Sequence, residues 1–120
     1  MEKKILIIDD ETGFTDTIKM RLEARGYRVF AAPDGISGLE MAKKKNPDII
    51  LLDLVMAKMN GFLVLSELKK DPYTSAIPVI ILTAKTELDY AFDADALGAD
   101  SYLSKPVKIQ ELEDVLRKYI

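Results

Sequence analysis

Residues 49–52 read Ile-Ile-Leu-Leu, an unbroken apolar run that leads directly into Asp53. A run of this kind, rich in Ile and Leu and without alternation, is typical of a strand covered on both faces. Similar runs occupy residues 5–8, 29–32 and 79–82, and a weaker one at 101–104 carries Tyr102 and Leu103. The sequence therefore predicts five strands at these positions.

Between these runs the apolar residues recur every three or four positions, the period of a helix that buries one face. The residues with this spacing are Phe14, Ile18 and Leu22; Ile36, Leu39 and Ala42; Leu65 and Leu68; Leu88, Ala91 and Phe92; and Ile109, Leu112, Leu116 and Tyr119. Strand and helix segments thus alternate about five times along the chain. Because βα crossovers are short and right-handed, this order predicts a parallel sheet with helices on both faces.

The composition limits both the size and the chemistry of the protein. The 120 residues, 48% of them hydrophobic, suit one domain, which we expect to span residues 1–120. The formal net charge is −3, whereas a nucleic-acid-binding domain is usually basic. The absence of Cys and His excludes disulfides, thiolate or imidazole metal sites, Ser-His-Asp catalysis and a phosphohistidine on this chain. No apolar stretch approaches the roughly 18 residues of a membrane span, so we expect a cytoplasmic protein without membrane contact.

Polar side chains follow four of the five predicted strands. The residues are Asp9 and Asp10 after the first strand, Asp53 after the third, Thr83 after the fourth, and Ser104, Lys105 and Pro106 at the end of the fifth. Taken singly, each has a structural explanation, since Asp10, Glu11 or Thr83 could cap a helix, Asp53 could begin a turn and Lys105 could be an exposed loop cation. Ligands of open α/β sheets, however, bind beyond the carboxyl ends of the strands. We therefore expect these side chains to lie together at one edge.

Three carboxylates at one edge repel one another, and a bound cation would relieve that repulsion. With oxygen ligands alone, Mg²⁺ fits better than a many-ligand Ca²⁺ cage. Asp9, Asp10, Asp53, one Mg²⁺ and the ammonium of Lys105 sum to zero formal charge. A carboxylate, Mg²⁺, a hydroxyl and a lysine are also what phosphoryl transfer to an aspartate requires. The pattern favours Asp53 as the nucleophile, with Thr83 and Lys105 on the phosphoryl oxygens.

At these positions the sequence resembles the CheY-like receiver domains of two-component response regulators. The matching motifs are Asp9-Asp10-Glu11, the run at 53–61, Thr83-Ala84, Gly98-Ala99-Asp100, Tyr102-Leu103 and Lys105-Pro106. Their order and spacing extend over nearly the whole chain. The resemblance implies an α/β fold, a doubly wound (βα)5 flavodoxin-like sandwich with a five-stranded parallel sheet of order 2-1-3-4-5.

The resemblance also implies a role for each polar residue at the sheet edge. Asp53 corresponds to the phosphoacceptor, and Thr83 and Lys105 contact the phosphoryl group. The implied Mg²⁺ ligands are Asp9, Asp10, Asp53 and the backbone carbonyl of Val55.

The same resemblance implies a switch and three modulating residues. Thr83 and Tyr102 correspond to the switch pair, in which the hydroxyl moves toward the phosphoryl group and the aromatic ring turns inward. The Lys105–Pro106 peptide bond is expected to be cis. Ala57 stands where the family often has Pro, which predicts a less rigid loop, and Lys85 is expected to affect the lifetime of the phosphoaspartate.

The implied function is a phosphorylation-controlled switch of a phosphorelay rather than an enzyme acting on a separate substrate. The phosphoryl group is expected from the phosphohistidine of a histidine kinase or phosphotransfer protein. The signal is expected to leave through the helix at 88–92, the fifth strand and the C-terminal helix, where an effector or a second copy of the chain binds. The acidic segment 87–95 contains no Arg, which argues against a charge-paired dimer.

Two other functions fit parts of the pattern. An aspartate-nucleophile phosphatase of the haloacid-dehalogenase type also combines Asp, Thr, Lys and an acidic pair. Its nucleophile, however, follows the first strand, and a second Asp stands two residues later, where this chain has Val55. A small flavin- or nucleotide-binding module would suit the same sheet, but neither a GxGxxG nor a GxxxxGK[ST] loop is present. The receiver hypothesis accounts for more of the residues.

Overall fold

The structure, a computed structural model, describes residues 2–56, 60–84 and 98–120, without the side chain of Thr83. The strands and helices in this part of the chain are β1 (Lys4–Ile8), α1 (Thr12–Glu23), β2 (Arg28–Ala32), α2 (Gly35–Lys45), β3 (Ile49–Asp53), α3 (Gly61–Lys70), β4 (Val79–Ala84), β5 (Ser101–Lys105) and α4 (Ile109–Tyr119). The helix predicted at 88–92 lies outside the described residues. Among the described helices, none has the length and apolar character needed to cross a membrane.

The five strands form one parallel sheet in the order β2-β1-β3-β4-β5, which confirms the predicted fold. The order reverses between β1 and β3, and this is the place where ligands bind in open α/β sheets. Ile8 of β1 is level with Leu52 of β3 in the register of the two strands. The residues that follow, Asp9 and Asp53, are therefore brought side by side at the carboxyl edge.

The core consists of two apolar layers, one on each face of the sheet. Alternate residues of β1 serve the two layers: Ile5 and Ile7 pack toward α1 and α4, whereas Leu6 and Ile8 pack toward α2 and α3. All four are fully buried. Coverage on both faces explains why the strand sequences show no alternation of apolar and polar residues.

Helix α2 differs from its prediction. Ile36, which the apolar spacing placed on the core face, is 67% exposed. The buried residues of α2 are Gly35, Gly38 and Ala42, with Leu39 only partly buried. A Cβ atom at Gly38 would come within 2.7 Å of the Ile8 side chain, so the helix lies close to the sheet through small residues. The prediction for Ile36 is wrong because apolar periodicity cannot detect a contact face made of glycine and alanine.

Three strands end later than predicted. Asp53, Thr83 and Lys105 are residues of β3, β4 and β5 themselves rather than of the loops that follow. Strand hydrogen bonds therefore hold the backbones of these three residues, which makes their positions at the sheet edge more defined than loop positions would be.

Candidate functional site

Three carboxylates meet at the carboxyl edge of the sheet, as predicted. One oxygen each of Asp9, Asp10 and Asp53 lies within 4.8 Å of the others. Asp9 and Asp53 are 1% and 5% exposed, whereas Asp10 is open to solvent. Two buried carboxylates and one exposed one, all oxygen donors, form a set that suits a hard divalent cation.

Hydrogen bonds to the backbone orient the two buried carboxylates. Asp9 Oδ1 accepts a hydrogen bond from the N–H of Glu11 at 2.9 Å, and Asp53 Oδ1 accepts one from the N–H of Val55 at 3.2 Å. Each bond closes a tight turn two residues beyond the aspartate. In both residues one oxygen stabilises the turn, and Oδ2 is the oxygen nearest Lys105.

Lys105 reaches the acidic cluster from the end of β5. Its Nζ lies 2.7 Å from Asp9 Oδ2 and 3.7 Å from Asp53 Oδ2. It also donates a hydrogen bond to Glu11 Oε1 at 3.0 Å. The side chain of Lys105 is only 12% exposed. The interpretation of this residue as an exposed loop cation is therefore wrong.

The carboxylates around Lys105 keep it charged. Burial on its own lowers the pKa of the ammonium, but the hydrogen bonds to Asp9 and Glu11 and the charges of Asp53 and Asp9 raise it by more, so the pKa of Lys105 lies above its usual value. Because the pKa is raised in the folded state, the ion pairs of Lys105 stabilise the protein at neutral pH, and this contribution is lost as the pH rises through that pKa.

Two contacts of Lys105 were not predicted from the sequence. Glu11 occupies the N-cap position of α1, yet within the described residues its side chain makes no cap hydrogen bond, and it pairs with Lys105 instead. The ring of Phe14 lies under the ammonium of Lys105, with 4.5 Å between Nζ and the ring centroid. The periodicity of α1 identified Phe14 as a core residue and carried no signal of this second contact.

The remaining predicted residues fall around this cluster or outside the described structure. Val55 is 49% exposed and donates its N–H to Asp53. The Lys105–Pro106 peptide bond is cis, as predicted. The backbone of Thr83 pairs with Ser104 of β5, and its side chain lies outside the described part. Tyr102 is 42% exposed on β5. Ala57 and Lys85 lie outside the described residues.

The arrangement of carboxylates and lysine on a sheet of order 2-1-3-4-5 agrees with a match to a known family. The family model described as the response regulator receiver domain matches residues 5–117. The chain belongs to the response regulator receiver domains. A receiver domain is a regulatory unit for phosphorylation-controlled signalling, and neither the haloacid-dehalogenase nor the flavin-module alternative is supported.

Individual receiver relatives cover nearly all of the chain. Sporulation initiation phosphotransferase F of Bacillus subtilis is 36% identical over 120 residues, which are 100% of this chain and 95% of that protein. A crystal structure of the receiver domain of a sensor histidine kinase from Pseudomonas aeruginosa, with a magnesium ion coordinated in its active-site cleft, has a TM-score of 0.90 at 28% identity. That match covers 99% of this chain and 98% of the other.

Other relatives of this receiver domain are longer proteins. The DNA-binding dual master transcriptional regulator RpaA of Synechocystis is 41% identical over 109 residues, which are 91% of this chain and 45% of RpaA. The chain likewise spans about half the length of the probable transcriptional regulators ycf27 of Porphyridium aerugineum and Galdieria sulphuraria. The receiver domain is thus the part that these proteins share with this chain.

Proposed function

We propose that the chain is a switch in which Asp53 accepts a phosphoryl group from the phosphohistidine of a histidine kinase or phosphotransfer protein. The observation that carries this proposal is the position of Asp53 Oδ2, 3.7 Å from the ammonium of Lys105 and within the carboxylate cluster. Residues 1–120 act in this proposal as one receiver unit. An effector or a second copy of the chain would read the result.

In the proposed transfer, one carboxylate oxygen of Asp53 attacks phosphorus in line with the leaving group. A P–O bond forms as the P–N bond of the phosphohistidine breaks, and the leaving imidazole nitrogen takes up a proton. Negative charge develops on the phosphoryl oxygens, and Lys105 is close enough to donate a hydrogen bond to one of them. The hydroxyl of Thr83 is proposed to contact another.

The donor set fits a divalent cation. Asp9, Asp10 and Asp53 would hold Mg²⁺, together with the backbone carbonyl of Val55. When bound, the ion neutralises carboxylate charge and acts as a Lewis acid toward the phosphoryl oxygens. Asp9 keeps its hydrogen bond to the N–H of Glu11 through Oδ1, so the turn after β1 can stay in place.

Incubation of the chain with acetyl phosphate and Mg²⁺ tests the proposed function directly. The mass of the intact protein should increase by one phosphoryl group, with acetate as the leaving group. Omission of Mg²⁺ should suppress the increase. A protein that stays unmodified under conditions that label a known receiver domain would contradict the proposal.

Mg²⁺ should raise the melting temperature because it relieves repulsion among three carboxylates. Binding to the folded state alone, at one hundred times the dissociation constant, adds about 2.7 kcal/mol to the free energy of unfolding. In an Asp9→Asn, Asp10→Asn double variant the Mg²⁺-dependent shift should disappear, since two of the three carboxylates are gone. Thermal denaturation with and without Mg²⁺ measures the shift in melting temperature for the wild type and for the double variant.

The control for this measurement is a double variant with the same charge change at exposed positions, Asp16→Asn, Asp114→Asn. It should keep the full Mg²⁺ shift. If the Asp9, Asp10 variant responds to Mg²⁺ as strongly as this control, the cation binds elsewhere.

The proposed output couples Thr83 to Tyr102. Transfer replaces the −1 charge of Asp53 with a phosphoryl group of about −2, which strengthens hydrogen bonds from a nearby hydroxyl. Thr83 is proposed to move toward the phosphoryl group and to leave space that the exposed ring of Tyr102 enters. The surface around β5 and α4 would then change shape. A modification shifts such an equilibrium only through its different interactions with the two states.

Removal of the Thr83 hydroxyl should therefore uncouple phosphorylation from the response. Thr83→Ala should still accept phosphate at Asp53, while the phosphorylation-dependent NMR shift changes of Tyr102 and residues 87–97 become small. Thr83→Ser, which keeps the hydroxyl, should retain most of the response. Equal responses in wild type and Thr83→Ala would show that the signal takes another route.

A further inference from the structure

Lys105 is held by an aromatic ring as well as by carboxylates. The centroid of the Phe14 ring lies 4.5 Å from Nζ, within the range of a cation–π interaction. Phe14 is half-buried in the first turn of α1, and it packs against the buried apolar layer that includes Ile7, Ile18 and Leu112. The ring therefore has a defined position, set by core contacts that do not involve the acidic cluster.

We propose that Phe14 is a positioning residue that holds the ammonium of Lys105 at the acidic cluster through the face of its ring. This inference rests on the proposed function, since its consequence is faster transfer of a phosphoryl group to Asp53.

The ring differs from the carboxylate partners of Lys105 in what happens during transfer. The ammonium has three N–H donors, and two of them bind Asp9 and Glu11 before any phosphoryl group arrives. The third N–H remains for a phosphoryl oxygen, and the ammonium adjusts its hydrogen bonds to Asp9 and Glu11 as it turns toward that oxygen. The ring attracts the ammonium without supplying an oxygen acceptor or a charge, so this contact can persist while the hydrogen bonds exchange.

The burial of Lys105 favours a large effect of the Phe14 ring on the transfer rate. Lys105 is 12% exposed, and a cation–π contact is stronger when the cation is desolvated. Without the ring, the long side chain would populate other rotamers, and the fraction of molecules with the ammonium at the cluster would fall. The transfer rate would fall with that fraction.

The test compares the same Phe-to-Leu substitution at two positions. Phe14→Leu keeps an apolar side chain in the core and removes the ring. Phe30→Leu is the matched control, because the Phe30 ring also lies under a lysine, Lys45, at 5.3 Å. The backbone carbonyl of Lys45 accepts a hydrogen bond from the side chain of Lys4, which lies at the start of β1, at the opposite end of the sheet from the acidic cluster.

The measured quantity is the initial rate of phosphoryl incorporation from acetyl phosphate with Mg²⁺, followed by intact mass. This donor avoids any effect of Phe14 on docking of a protein partner. We expect Phe14→Leu to be slower by about threefold to tenfold, in the range of a partly desolvated cation–π contact. Phe30→Leu should match wild type. Equal rates for Phe14→Leu and wild type would overturn the inference.

A second set of variants separates the electrostatic role of the ring from its packing. Phenylalanine with increasing numbers of ring fluorines at position 14 keeps the shape nearly constant and weakens the negative face of the ring. The rate should fall stepwise with fluorination. A rate that is independent of fluorination would assign Phe14 a packing role only and contradict the proposal.

The contact itself can be observed without phosphorylation. Ring current should shift the NMR signals of the Lys105 Hε protons in the resting protein, and Phe14→Leu should abolish that shift. If wild type and Phe30→Leu both fail to incorporate phosphate, the proposed function has failed. If wild type is labelled and Phe14→Leu is labelled equally fast, only the positioning role has failed.

Discussion

Asp53→Asn should abolish phosphoryl incorporation from acetyl phosphate and Mg²⁺. The amide has no anionic oxygen to attack phosphorus, so the reaction loses its nucleophile rather than part of its rate acceleration. Asp9 differs from Asp53 in two respects: it lies beyond the end of β1 rather than within a strand, and its Oδ2 accepts a hydrogen bond from Lys105 at 2.7 Å, whereas Asp53 Oδ2 lies 3.7 Å from the ammonium. Intact-mass measurement should show only unmodified protein.

The same substitution should leave the fold at least as stable as wild type. Asn keeps an Oδ1 acceptor for the N–H of Val55, which Asp53 binds at 3.2 Å. It also removes one of three carboxylates whose oxygens lie within 4.8 Å of one another. Less repulsion in the cluster should raise the melting temperature in the absence of Mg²⁺. Loss of labelling in an unfolded variant would not support Asp53 as the phosphoacceptor. The intact mass and the melting temperature are therefore measured on the same sample.

Asp71→Asn is the matched control for this prediction. Asp71 Oδ1 accepts a hydrogen bond from the N–H of Tyr73 at 2.9 Å, the same two-residue turn that Asp53 makes with Val55. That hydrogen bond and the one from Lys43 hold the pKa of Asp71 below its usual value, so it is charged at neutral pH. Asp71→Asn therefore removes one negative charge and keeps the turn from Asp71 to Tyr73, at a position away from the acidic cluster. It should be labelled like wild type. Labelling of Asp53→Asn, or its loss in Asp71→Asn, would mean that the phosphoacceptor is misassigned.

Gly61→Ala should destabilise the protein by about 3 kcal/mol, because overpacking against fixed backbone costs more than contact with a flexible side chain. Gly61 is the first residue of α3, and its N–H donates to the carbonyl of Leu54 at 2.9 Å. An added Cβ would meet the carbonyl oxygen of Asp53 and the Cα of Leu54, closer than real Cβ atoms approach any atom. Either α3 or the end of β3 has to move.

The effect of Gly61→Ala should extend to the site. The atoms in conflict belong to the backbone of Asp53 and its neighbour, so relief of the clash displaces the proposed phosphoacceptor. We expect a melting temperature lower by roughly 10 °C and a slower incorporation of phosphate at temperatures where the variant is still folded. Thermal denaturation and intact mass measure the two effects.

Gly13→Ala is the control for a Gly-to-Ala change within a helix. Gly13 is exposed in the first turn of α1, and a Cβ there would have no described atom within 4 Å. Alanine should stabilise this helix by about 0.5 kcal/mol through its higher helix propensity. If Gly61→Ala were as mild as Gly13→Ala, the close approach of α3 to β3 would be wrong.

The order of strands and helices and the residues of the cluster follow from local patterns. Unbroken apolar runs such as 49–52 predict strands covered on both faces, and this coverage is what the structure contains. Asp9, Asp53 and Lys105 could be placed at one edge because each stands at the end of a strand, and parallel strands have their carboxyl ends on the same side. The sheet order came from the resemblance to receiver domains, since local patterns leave it open.

Several features depended on the packing of distant segments. Lys105 contacts Glu11 and Phe14, more than 90 positions earlier in the chain, because the parallel sheet puts the carboxyl ends of β1 and β5 on the same edge, where the Lys105 side chain reaches residues that follow β1. Ile36 is exposed because α2 packs through glycine and alanine. Hydrophobic periodicity reports which face of one segment is apolar. Which residue pairs with a charged side chain, and how closely a helix approaches the sheet, depend on residues that are far apart in sequence. These residues come into contact only when the helices pack on the two faces of the sheet.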